Sequence, residues 1–83
     1  MVPTVLRFRG FNIMIFTLDH APPHVHAFGA ESQVSFWLNG TDGPVSLRAK
    51  YALKLKDQRA LEAFLNDNLD ILWKRWNEVH GKR

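Results

Sequence analysis

Leu61-Glu-Ala-Phe-Leu65-Asn-Asp-Asn-Leu69-Asp-Ile-Leu72-Trp-Lys-Arg-Trp76-Asn-Glu-Val79 settles the fold class, because the period of the apolar residues changes here. Leu61, Leu65, Leu69, Leu72, Trp76 and Val79 step by four, four, three, four and three, the spacing that lines one face of an α-helix. Glu62, Asp70, Lys74 and Glu78 populate the other side. The pattern predicts one long C-terminal helix over about residues 57–79, about six turns, with Gly81 as its stop. Its weak point is Asn66-Asp67-Asn68, whose side chains compete for backbone hydrogen bonds. Asp67 could cap a second helix there, and the reading adopted is one helix, bent if anything.

Upstream the period is two. From Thr4 to Arg9, Leu6 and Phe8 point one way while Val5, Arg7 and Arg9 point the other, which predicts a half-buried strand. Asn12 to Thr17 reads as a more buried strand, joined to the first by a tight hairpin around Arg9-Gly10-Phe11. Ser32 to Asn39 alternates Val34, Phe36 and Leu38 against Gln33, Ser35 and Trp37, and Asn39-Gly-Thr-Asp-Gly-Pro44 is a strong turn signal before a short strand, Val45 to Arg48. The expected fold is therefore α+β: one domain over residues 1–83, with an antiparallel sheet of four to five strands between about residues 4 and 48. The helix is the only element able to cover the sheet's apolar face.

Between the second and third strands runs Asp19-His20-Ala-Pro22-Pro23-His24-Val-His26-Ala-Phe28, which holds three of the four histidines. Pro22 and Pro23 lack amide hydrogens, so the segment before His24 should be a stiff crossing loop. In the strand that follows, His24, His26 and Phe28 share one face, and Val25 and Ala27 share the other.

Composition narrows the functions open to such a chain. Eighty-three residues allow one small core, and the absence of cysteine leaves no disulfide framework and no thiolate metal site. With 46% hydrophobic residues, three Trp and six Phe, the chain is globular. No stretch approaches the roughly 18–20 apolar residues of a membrane helix, and no signal-peptide pattern opens the chain. A cytoplasmic protein with no membrane association is expected. The formal charge of +3 tilts toward polyanion contact without establishing it.

Three readings of the histidine stretch stay open. His24 and His26 on one strand face can aim both imidazoles at one ion, with His20 as a third nitrogen and Asp19 as ligand or supporting acceptor; zinc or a similar divalent metal suits that set, although no cofactor is required by the sequence. Alternatively His24, His26 and His20 supply a catalytic acid and base for cleavage of RNA, with Arg7 and Arg9 on a neighbouring strand holding the phosphate. On these two readings the chain would be a metal-dependent hydrolase or a ribonuclease. In the third, which needs no chemistry, Asp19 caps the turn and accepts from a histidine, Pro22-Pro23 stiffens the crossing, and the histidines are buried hydrogen-bond partners or contact residues for a partner protein. A second basic region, Arg48, Lys50, Lys54 and Lys56 around Tyr51, with Lys74, Arg75, Lys82 and Arg83 beyond, could grip nucleic acid by phosphate contact and stacking.

Asp19-His20-x-Pro22-Pro23-His24-Val-His26, together with Trp37 and the Trp76-Asn77-Glu that ends the helix, resembles a family of small bacterial proteins known as domain of unknown function 4160. The resemblance covers nearly the whole chain. It implies one component of a toxin–antitoxin-like gene pair, with a small protein partner encoded nearby and RNA as a further ligand. Ala49-Lys-Tyr-Ala-Leu-Lys-Leu-Lys56 departs from relatives in lacking a helix-capping Ser, which bears on where the helix starts.

Overall fold

The computed structural model describes residues 4–17 and 19–80; Gly81, Lys82 and Arg83, read above as a helix stop and two basic residues, lie outside that range. Five strands, β1 (Thr4–Phe8), β2 (Phe11–Met14), β3 (His24–Phe28), β4 (Gln33–Trp37) and β5 (Ser46–Tyr51), form one sheet in the order β1-β2-β3-β4-β5. Every neighbouring pair is antiparallel. The first hairpin closes more tightly than the sequence indicated, on Arg9 and Gly10 alone, with Phe8 opposite Phe11. Both turn residues have positive φ, 49° and 81°, as a two-residue turn matched to the twist of the strands requires.

The register sorts the side chains. Ile13, Ala27 and Val34 form one row, and Val25 faces Phe36 in the next. All five are buried, against Leu61, Leu65, Leu69, Leu72 and Trp76 of the helices. Phe8 extends this layer by stacking on Phe64, ring centroids 4.4 Å apart. The other face of the same strands carries His24 beside Trp37, His26 beside Ser35 and Phe28 beside Gln33.

The single long helix is not what forms. There are two, α1 (Leu55–Asp67) and α2 (Leu69–His80), broken at Asn68. The cause lies in the Asn side chains. Asn68 Nδ2 donates to the Phe64 carbonyl at 2.8 Å, and its amide tightens onto Leu65 O at 3.0 Å. Asn66 Oδ1 accepts the Val45 amide at 2.8 Å, tying the break to the turn before β5. In that turn Gly43 has φ +71°, and a Cβ there would sit 2.8 Å from Leu69 Cδ1, so only glycine suits it. Asp67 ends α1 and does not cap α2.

Helix α1 begins two residues earlier than expected, and its N-cap Lys54 makes no side-chain cap. Asp57 in the first turn instead offsets the positive end of the helix dipole. Strand β5 likewise runs on to Tyr51, past the Arg48 predicted as its end. Among the described residues no helix is long and apolar enough to cross a membrane.

Candidate functional site

Asp19 is fixed before it meets any histidine. Its Oδ2 accepts the Phe16 amide at 3.0 Å, and its own amide donates to Phe16 O at 3.1 Å, so the carboxylate is held over the end of β2. This leaves Oδ1 facing β3. His26 Nε2 lies 3.2 Å from Oδ1 and His24 Nε2 lies 3.5 Å from it. One ligand atom from each of Asp19, His24 and His26 falls within 4.8 Å of the other two.

The His24 ring is held from its far side. Its Nδ1 sits 2.9 Å from the Pro22 carbonyl, which can only accept, so Nδ1 carries the proton of the neutral ring. Nε2 is then a lone pair aimed at the Asp19 carboxylate. His24 is only 6% exposed, with its ring 5.1 Å from His26, 5.8 Å from Trp37 and 5.9 Å from Trp76. The ring therefore has little room to turn away. His26 packs at 5.1 Å on Phe16 and at 6.0 Å on Phe28.

Two acceptors facing each other in a mostly buried place require a cation between them, either a proton or a metal ion. Zinc bonded at about 2.0–2.1 Å to tetrahedral corners sets those corners about 3.3 Å apart. The two Asp19–His distances, 3.2 and 3.5 Å, bracket that figure, and all three ligand atoms lie within 4.8 Å of one another. The Nδ1 bond to Pro22 O is of the kind that orients a metal-ligating imidazole, so the three residues could hold such an ion.

Of the residues singled out from sequence, the fold brings Asp19, His24 and His26 together, with Pro22 supplying the carbonyl and Pro23 O accepting the Leu38 amide at 2.9 Å. His20 is exposed; it lines the same cleft of about 260 Å³ but is not a member of the converging group. Arg7 and Arg9 are not where a phosphate at the histidines would need them. Arg7 is level with Asn12 and, across β2, with Phe28 instead of His26. Arg9 occupies the turn, with its guanidinium carbon 5.1 Å from the centre of the Phe8 ring. Lys50 faces the helices, where its Nζ donates to Gln58 Oε1 at 2.9 Å.

Arg48 is the exception among the basic residues. Strict alternation back from Tyr51 would turn it toward the helices. The register shift between Ser35/Ala49 and Phe36/Leu47 inserts it as an extra residue, and such a bulge re-aims a side chain. Arg48 Nη1 thus donates to Ser35 Oγ at 3.2 Å, its guanidinium lies 5.3 Å from the centre of the Trp37 ring, and it lines the cleft with the histidines. Sequence reasoning had Arg48 in a separate basic run and gave Ser35 no role. The alternation of Gln33, Ser35 and Trp37 did carry the signal that these share the histidine face; the bulge left none.

A family model described as a domain of unknown function, DUF4160, matches residues 10–77. No curated protein and no solved structure matches the chain.

Proposed function

The chain belongs to the DUF4160 family, and for this member we propose that Asp19, His24 and His26 bind a divalent metal ion of zinc type and that the protein works through it. The observation that carries the reading is the convergence of His24 Nε2 and His26 Nε2 on Asp19 Oδ1, with the His24 ring held from its far side by Pro22 O. Two imidazoles and one carboxylate leave at least one coordination position for water or a ligand, the arrangement of a working site more than of a structural one. The open cleft over the three residues gives that position access. The test is a zinc titration followed by calorimetry and by the imidazole NMR signals. One equivalent should bind and shift His24 and His26, and both His24→Ala and Asp19→Asn should abolish it. Uptake that survives both variants would refute the assignment.

A second reading, the toxin–antitoxin-like pair, draws support from β5. Every residue of this edge strand is exposed, including Leu47 and Tyr51, and among the described residues only β4 pairs with it. An unpaired edge can accept an added strand, and the positive charges of Arg48, Lys50, Lys54 and Lys56 favour an acidic extended segment of the small protein encoded nearby. Amide exchange over Ser46–Tyr51 should slow in that complex. Binding that leaves those amides unprotected rules the reading out.

A further inference from the structure

We infer that the open face binds a nucleotide, with its phosphate between the metal and Arg48 and its base in the adjoining cleft. The inference rests on the metal reading above for one of the two phosphate contacts. Two clefts open on this face and share two residues. The first, over Asp19 and His24, and a second of about 270 Å³, lined by Phe28, Gln33, Ser35 and Tyr51, are both bordered by His26 and Arg48.

The register explains how they line up. Tyr51, Gln33 and Phe28 form one row across β5, β4 and β3; Ala49, Ser35 and His26 form the next, with bulged Arg48 beside Ala49; Ser46, Trp37 and His24 form the third. Successive rows on one face are about 7 Å apart, a span that a sugar bridges between a phosphate and a base. Arg48 suits the phosphate end. Its planar guanidinium offers five donors, one of which Ser35 Oγ takes, while the Trp37 ring supports its flat side. A metal with an open position attracts the same anion.

The second cleft suits the base. Phe28 and Tyr51 are its aromatic walls, Tyr51 being 69% exposed, and a base needs only a flat apolar surface to stack on. Gln33 between them carries both a donor and an acceptor for the base edge. Neither cleft alone distinguishes a nucleotide from free phosphate. Their shared wall does.

The experiment is calorimetric titration of the zinc-loaded protein with adenosine 5′-monophosphate, adenosine and inorganic phosphate. The monophosphate should bind at least tenfold more tightly than either fragment. Arg48→Ala should weaken it at least tenfold with zinc uptake unchanged, and Tyr51→Ala should weaken it several-fold without altering phosphate binding. Both positions lie on an exposed edge strand, so the variants should fold, as a wild-type-like amide NMR spectrum would verify. Equal affinity for monophosphate and phosphate, or an unchanged Arg48→Ala, would overturn the inference. Failure to take up zinc would refute the metal site alone, and the same titrations on the metal-free protein then decide the nucleotide through the loss, or not, in Arg48→Ala.

Discussion

Val25 and His24 are chain neighbours, yet they belong to different chemistries. On the helix side of the sheet, Ile13, Val25, Ala27, Val34 and Phe36 are sealed by α1 and α2 and have no polar work to do. On the open side, the same strands present His24, His26, Ser35 and Trp37, and there His24 Nδ1 is held by Pro22 O, His26 Nε2 faces Asp19 Oδ1 and Ser35 Oγ accepts from Arg48. The difference teaches that one face stores the stability while the other uses it. Asp19 and the His24 and His26 rings are held together because the strands beneath them are fixed by an apolar layer. Trp76 connects the two, packed in the core and 5.9 Å from His24.

The sharpest way to break the contrast is to empty one position on each side. Phe36, fully buried, should lose about 3–5 kcal/mol on change to Ala, since burial and cavity terms add. Such a loss would leave a chain of this size barely folded. Trp76→Ala should fall in the same range and disturb the His24 NMR signal as well. His26→Ala removes a half-buried ring and one contact to Asp19, and about 1 kcal/mol is expected. Equal melting temperatures for Phe36→Ala and His26→Ala would mean that the open face is a second core.

Metal addition turns the comparison around, because only the open face should respond to it. With zinc at 100 times its dissociation constant, ligand linkage should raise wild-type stability by about 2.7 kcal/mol. His24→Ala should lose all of that increment, whereas a core variant mild enough to stay folded, such as Val34→Ala, should keep it. A zinc effect that persists in His24→Ala would place the ion elsewhere.

Alternation made most of this visible in the sequence. A period of two set the strands, and it paired His24 with His26 against Val25 and Ala27 without any knowledge of their neighbours. The helix break was visible as a weakness at Asn66-Asp67-Asn68, but its position depends on Val45 and Phe64 as hydrogen-bond partners, which no local pattern supplies. Arg9 was misread because a turn residue with φ 49° was counted in the strand's alternation. Arg48 was misplaced for the opposite reason, since a bulge adds a residue where alternation forbids one.

The Asn66 contact gives a smaller prediction. Asn66→Ala leaves the amide of buried Val45 without its acceptor, which should cost about 1–2 kcal/mol. Zinc binding should be unaffected, because the contact lies on the helix side. Thermal melts with and without zinc would show equal increments for this variant and wild type.

His20 separates the histidines that share a motif from those that share a site. In the sequence it stands one residue from Asp19 and looks as eligible as His24. In the fold it is exposed at the cleft, and it is no member of the converging group. Two consecutive prolines follow Ala21, so the chain from His20 to His24 is too stiff to swing the ring inward without moving Pro22 O, the acceptor that orients His24. His20→Ala should therefore change stability by less than about 0.5 kcal/mol, as exposed substitutions do, and leave zinc stoichiometry at one. Zinc affinity within twofold of wild type would confine the site to Asp19, His24 and His26. A tenfold loss would mean that the loop closes on the ion and that the face opposite the core is less rigid than the core itself.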